Sequence, residues 1–321
     1  MITTAKTAAL SISAIMFAGA VLASDDNPPR LPNPNSVTAK MPSDKRPIIT
    51  PESIDFGAYD PHGDFTEDPN PKIEHLFLPW EDVDLASLTI ADEYALERGR
   101  SLMITVEPWS WSVDWRLSPE ELYRGIVSGR FDTNMAAVCR EASKLESEVT
   151  IRWGQEMDED EEEWFKFTWA YWEPEQFVNA YRHAITVCRE YFPDAKFVWS
   201  PKGKEGLEEY YPGDEYVDIV GLSVFGYQPY DNDRFGRDMT FVEWLEPRYE
   251  RAKIFGKPII VAELGYDGDQ SYVRRWAEDV TKPYPQFPDL VAVVYFNDRE
   301  VYPWPDYGRP NWRVVQQQVS N

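Results

Sequence analysis

The sequence predicts an α/β protein folded as one (β/α)₈ barrel, the TIM-barrel architecture, in a single domain. Three observations carry that reading. Eight apolar runs of strand length recur along the chain, helical stretches with legible caps separate them, and several runs are apolar at consecutive positions, as in Ile259-Ile260-Val261-Ala262. Consecutive apolar residues suit strands covered on both faces, as in a parallel sheet. Strand and helix alternating eight times close more readily into a barrel than into an open sheet.

The runs cover 53–59, 75–80, 101–109, 148–156, 196–201, 217–227, 257–266 and 290–298. Between the third and fourth, Ser118-Pro119-Glu120-Glu121 supplies an N-cap, a first-turn proline and a capping-box glutamate. Pro174 opens a helix over 175–191 in which Phe177, Tyr181, Ile185 and Cys188 share one face. Thr240-Phe241-Val242-Glu243 repeats the capping box and leads to Gly256, a C-terminal stop.

Residues 1–23 read as a signal peptide. One lysine, Lys6, precedes a mostly apolar stretch that ends on the cleavage-type flank Val21-Leu22-Ala23. A retained anchor is the competing reading, because the stretch is only slightly short for a span, and the cleavage-type flank makes it the weaker one. The remainder is expected to be exported, periplasmic or secreted, with no stable membrane insertion after the signal is removed. Residues 24–52 turn to Pro, Asn, Ser and Lys without apolar periodicity, so they form a linker or a strap on the barrel domain, 53–321.

The net charge of −24 argues against nucleic acid and anionic polysaccharides as partners and for a neutral substrate. The acidic run 158–163 reads as a solvated loop, more weakly as a calcium site. The three histidines, at 62, 75 and 183, have no metal-cage spacing, so no metal is expected. Cys139 and Cys188 fall in helices flanking one strand, and a disulfide and two buried thiols both remain open.

Barrel enzymes work at the carboxyl ends of their strands. Here those ends carry Tyr59-Asp60, Glu107-Pro108-Trp109, Gln155-Glu156, Phe225-Gly226-Tyr227, Glu263 and Asn297-Asp298. Glu156 and Glu263 close the fourth and seventh strands, on roughly opposite sides of the mouth. Glycoside cleavage needs such a pair, one acid to protonate the leaving oxygen and one carboxylate as nucleophile or base. In a retaining enzyme the two carboxyls stand about 5–5.5 Å apart. Their surroundings should push their pKa values apart, and no cofactor is expected because two carboxylates suffice.

Arg152-Trp153-Gly154-Gln155-Glu156-Met157 resembles the acid/base motif of glycoside hydrolase family 26, the family of many β-mannanases, in clan A. Lys257-Pro258-Ile259-Ile260-Val261-Ala262-Glu263-Leu264-Gly265 is similar to its nucleophile strand. Val198-Trp199-Ser200-Pro201, Tyr210-Tyr211-Pro212-Gly213-Asp214 and Val217-Asp218-Ile219-Val220-Gly221-Leu222 match its fifth and sixth strands, so the resemblance runs in order from about 56 to 315. It implies a retaining double displacement with Glu263 as nucleophile and Glu156 as acid/base. It also implies a substrate cleft drawing on Trp109, Gln155, Trp164, Phe225, Tyr227, Tyr295 and Asn297, with Arg152 and Glu107 in support.

The chain departs from the family pattern at substrate-facing positions. Gln155 stands where the family usually has His, and the acidic run ending in Trp164, Trp169 and Trp172 replaces a short Asn-Gly-Trp-Tyr-Pro-Trp loop. Ser223-Val224-Phe225 replaces Asp-Gly-Tyr, and Tyr295 replaces a frequent Trp. The expected substrate is therefore a neutral β-linked polysaccharide, β-1,4-mannan or a β-glucan. The rival reading is a non-catalytic glycan-binding barrel accompanying exopolysaccharide synthesis or export.

Overall fold

The structure, a computed structural model, describes residues 44–81, 83–110, 112–159 and 166–315. The segments read as a signal peptide and most of the linker lie outside the described residues. Eight parallel strands pair in chain order, β1 (Asp55–Tyr59), β2 (Ile73–Pro79), β3 (Ser101–Glu107), β4 (Val149–Trp153), β5 (Lys196–Trp199), β6 (Ile219–Tyr227), β7 (Ile259–Asp267) and β8 (Leu290–Phe296). β8 pairs back to β1 and closes the barrel.

Helix α1 (Ser87–Glu97) follows β2, and α2 (Pro119–Val127) and α3 (Asp132–Ala142) follow β3. Then α4 (Pro174–Tyr191) follows β4, α5 (Gln228–Phe235) and α6 (Phe241–Ala252) follow β6, and α7 (Gln270–Asp279) follows β7. Both anticipated capping boxes form, at Ser118 and Thr240. The alternation is less regular than the sequence predicts. Among the described residues no α-helix joins β1 to β2 or β5 to β6. Pro61, Gly63, Pro69 and Pro71 break the first connection, and Gly203, Gly206, Pro212 and Gly213 reduce the second to two short 3₁₀ turns. No helix among the described residues is long and apolar enough to cross a membrane.

Alternating side chains divide each strand between two environments. One set packs outward against the helices, as Ile104, Ile151, Leu222, Val261 and Val293 do. The other fills the barrel, where Met103, Val198, Ile260, Ala262, Ala292 and Val294 form a separate apolar cluster. One layer nearer the carboxyl ends the interior turns polar, with His75, Thr105 and Arg152 all buried. Strict alternation would send Glu263 outward. A β-bulge prevents this: Leu222 pairs with Val261 and Ser223 with Glu263, leaving Ala262 as the extra residue and turning Glu263 inward.

Cys139 of α3 and Cys188 of α4 form a disulfide, their Cα atoms 5.3 Å apart. On the other side of the barrel, residues 44–52 lie on the domain. Lys45 is fully buried, with its Nζ 2.6 Å from Asp267 Oδ1 and donating also to the Asn311 carbonyl at 2.6 Å. Burial lowers its pKa, and Asp267 opposes that shift.

Candidate active site

Each acid at the mouth is raised by a local feature of its strand. β4 ends at Trp153; Gly154, with a φ of +58°, turns the chain, and Glu156 follows at φ +56°. That conformation is costly for a residue with a Cβ. It is held by a hydrogen bond from the Glu156 N–H to the Ser200 carbonyl, 2.7 Å. The Glu156 carboxylate lies 4.0 Å from Lys202 Nζ, and Lys202 also pairs with Glu159.

Glu263, inward after the bulge, is 9% exposed, and its Oε1 lies 2.7 Å from Arg152 Nη1. Arg152 therefore pairs with Glu263 and not with Glu156, the partner a merely structural reading of Glu156 would give it. Burial pushes the Glu263 carboxyl up to about 7, Arg152 pulls it back, and the charges of Glu156 and Glu107 raise it. The two glutamates thus feel each other across the mouth.

Glu107 closes β3. Its Oε1 accepts from Gln155 Nε2 and its Oε2 from Trp109 Nε1, both at 2.9 Å. Burial raises its pKa, and the two hydrogen bonds oppose that. Gln155 is fully buried, its Oε1 without a partner among the described residues, and Trp109 is held from the other face by Arg116, 3.5 Å from its ring centroid.

The opposite wall is aromatic. Tyr59, Phe77, Phe225 and Phe296 are inward-facing and half-buried, with centroids 4.9 Å apart for Tyr59–Phe77, 5.1 Å for Tyr59–Phe296 and 6.4 Å for Phe225–Phe296. Burial and the negative charges of Asp298, Glu107, Glu263 and Asp60 raise the Tyr59 pKa, so its phenol stays protonated. The period-two alternation of β1, β2 and β8 points to Tyr59, Phe77 and Phe296. Assigning the eighth strand from its resemblance singles out Tyr295 instead.

Several anticipated residues sit elsewhere. Tyr295 pairs in register with outward Leu264; it is fully buried, with its hydroxyl donating to the Trp312 carbonyl at 2.7 Å. Its neighbour Phe296 is the β8 side chain at the mouth, because successive residues of a strand face opposite ways. Asn297 is also fully buried. Its Nδ2 donates to Asp60 and Asp64 and its Oδ1 accepts from the Val314 N–H, so it ties the β1 and β8 loops together. Tyr227 donates to the Tyr307 carbonyl beside Trp304, at the rim. Trp164 lies outside the described residues.

Of the acidic run, 160–163 lie outside the described residues, and its first two members are not solvated. Asp158 and Glu159 are buried, and Asp158 accepts from the N–H groups of Lys202, Gly203 and Lys204 at 2.6, 2.9 and 2.9 Å. Trp169 is core, its Nε1 donating to the Gln155 carbonyl at 2.6 Å. Among the described residues no cluster of three or more His, Cys, Asp or Glu could hold a metal. A cavity of about 260 Å³ lies outside the barrel between α1 and the α3–β4 turn, where Asp92 is spent capping the Glu146 and Ser147 N–H groups. The chemistry-bearing groups converge on the mouth instead.

Residues 123–246 match the model of glycosyl hydrolase family 26. The central segment is similar to that family. The match includes Arg152 and Glu156 and ends before β7, so Glu263 rests on its position in the fold. Two curated β-1,3-xylanases are similar. That of a Vibrio species is 25% identical over 44% of this chain and 28% of its own, and that of an Alcaligenes species is 24% identical over 50% and 32%. The chain thus spans about a third of the length of these relatives. Among solved structures, Bacillus subtilis mannanase man26 superposes with a TM-score of 0.54 at 16% identity, covering 85% of this chain and 90% of its own. That likeness is one of fold, and it places the family 26 segment within a full barrel.

Proposed function

We propose that this family 26 relative is a retaining glycoside hydrolase of a neutral β-linked polysaccharide, with Glu263 as nucleophile and Glu156 as acid/base. The observation that carries the reading is Glu263 itself: a bulge turns it into the mouth, Arg152 holds it, and it faces Glu156. In the first step a Glu263 oxygen attacks the anomeric carbon while the glycosidic C–O bond breaks and Glu156 gives its proton to the leaving oxygen. In the second, water attacks the same carbon, Glu156 takes the water's proton and Glu263 leaves as a carboxylate.

Gln155, Trp109 and the ring wall of Phe225 and Phe296 bound the sugar site, and Tyr227 stands at its rim. The candidate substrates are β-1,4-mannan and β-glucan, and the curated relatives add β-1,3-xylan. Export agrees with the Cys139–Cys188 disulfide, which persists in an oxidising compartment.

Assay of the whole chain on β-1,4-mannan, β-glucans, mixed-linkage glucan and β-1,3-xylan, beside Glu263→Gln, tests this. Hydrolysis of one of them, lost in Glu263→Gln, is the expected result. Hydrolysis unchanged in the variant removes the nucleophile assignment. Binding without release of sugar from any of them makes the chain a glycan-binding barrel.

A further inference from the structure

Beneath Glu263 lies a line of buried polar groups that the two-carboxylate mechanism leaves without a role. Thr105 Oγ1 stands 3.2 Å from Arg152 Nη1, and His75 Nε2 stands 2.7 Å from the same oxygen. Arg152 and Thr105 are fully buried and His75 is 1% exposed. They come from adjacent strands, β2, β3 and β4, in the one polar layer between the apolar barrel cluster and the mouth.

We infer that His75 and Thr105 are positioning residues for Glu263, acting through Arg152 to fix where the carboxylate sits and how firmly its charge is held. The inference rests on the proposed role of Glu263. Arg152 Nη1 spends its contacts on Glu263 and Thr105, whereas its Nε and Nη2 have no hydrogen-bond partner among the described residues. A guanidinium on a long stem and held only by Glu263 would be free to swing; the Thr105 oxygen gives it a second fixed point. Thr105 in turn accepts from Arg152 and donates its own proton to His75 Nε2, the arrangement that uses both its proton and a lone pair.

His75 is a rigid end for this chain. Its ring packs against Phe77, centroids 4.4 Å apart, and Tyr59, 6.0 Å apart. Burial and the Arg152 charge both hold the imidazole neutral. A protonated His75 would put a second cation beside Arg152 and lose the one ring nitrogen that can accept from Thr105.

The consequence falls on the ionisation of Glu263. The charged groups facing it are Arg152 and Glu156 from β4 and its end, and Glu107 from β3. β1 contributes the neutral Tyr59 phenol, β6 contributes Ser223 and β8 contributes Phe296. Arg152 is therefore the one cation among them that opposes both burial and two like charges. Loosening it by a few tenths of an ångström raises the Glu263 pKa, because the other contributions all favour the protonated acid.

Infrared titration of the Glu263 carboxyl in the whole chain, assigned by its disappearance in Glu263→Gln, reads this directly and needs no hydrolysis. Thr105→Val is expected to move the titration up by about one unit, and His75→Phe to move it in the same direction. Thr105→Ser keeps the hydroxyl and is expected to titrate as wild type. On a hydrolysed substrate, Thr105→Val then loses about tenfold in kcat below the wild-type midpoint, with KM little changed. Unshifted titration in both Thr105→Val and His75→Phe, with cooperative melting retained, overturns the inference. So does a Thr105→Ser shift as large as that of Thr105→Val. If Thr105→Val fails to fold, His75→Phe decides by the same titration. A wild type that hydrolyses nothing yet shows these shifts overturns the proposed reaction and leaves the positioning chain standing.

Discussion

Arg152 Nη1 and Glu263 Oε1 meet at 2.7 Å inside the barrel mouth, the guanidinium wholly buried and the carboxylate nearly so. A pair so desolvated is a weak source of net stability, but breaking it is costly because the remaining charge loses its partner. Arg152→Met is therefore expected to raise the Glu263 pKa rather than leave a bare carboxylate. That response caps the stability loss at or below the roughly 3–5 kcal/mol of a broken buried pair. Hydrolysis at neutral pH should fall by more than an order of magnitude. Urea unfolding and a pH–rate profile of the variant check both statements.

Stability and activity are expected to move in opposite directions between about pH 5 and 7.5. Burial is the main cause that raises five carboxyls, Glu263 and Glu74 to about 7, Asp231 to about 6, and Glu107 and Glu300 above their ordinary range. Their folded-state values exceed their unfolded ones, so the folded protein binds more protons in this window. Their stabilisation is complete at low pH and is lost as pH rises through the folded values. His75, held neutral in the fold, works the other way below its usual range, one group against five. The melting temperature should therefore be higher at pH 5.5 than at pH 8, and Glu263→Gln should flatten the difference. With Glu263 as the proposed nucleophile, hydrolysis should fall over the same descent in pH.

The disulfide closes a loop of 49 residues between α3 and α4 on the outer layer of the barrel. Replacing both cysteines, Cys139→Ala with Cys188→Ala, is expected to cost about 2–4 kcal/mol of stability. Because neither cysteine touches the mouth, kcat at 25 °C should hold. Thermal unfolding and assay of the double variant, beside the reduced wild type, test the separation.

The reversal on β8 gives a paired prediction. Phe296→Ala removes part of the ring wall and should raise KM several-fold with a modest change in melting. Tyr295→Phe takes away the hydroxyl that donates to the Trp312 carbonyl. It should cost about 1 kcal/mol of stability with KM unchanged. If Tyr295→Phe alters KM as Phe296→Ala does, the β8 register at the mouth is not the one described.

The barrel was legible because its signals are local. Apolar runs such as 259–262 need only their own residues to announce a buried strand, and Ser118 and Thr240 announce helix starts through partners three residues away. The missing helices after β1 and β5 were legible too, in Pro61, Pro69 and Pro71 and in Gly203, Gly206 and Gly213, once those breakers are weighed against the expectation of regular alternation. Glu156 and Glu263 were singled out as candidates through their strand ends and their motifs.

What surrounds those acids depends on which face each strand turns inward, and one residue of register decides it. Tyr295 and Phe296 are both large and aromatic, and pairing with Leu264 and Tyr59 sends one outward and the other to the mouth. His75 and Thr105 are single polar residues in apolar strands, 30 positions apart, and become a chain only when β2 and β3 pair.

The amino-acid sequence by itself determined the barrel and singled out the two glutamates as candidates, because alternation, capping and strand-end chemistry are written in neighbouring residues. Tertiary structure alone decided that Glu263 faces inward, through the extra residue at Ala262, and that Arg152 answers Glu263 rather than Glu156. It also decided that Asp158 is a buried brace for the β5 loop and that Cys139 and Cys188 are joined. These are relations between residues far apart in the chain, set by strand register and closure, and no local pattern encodes them.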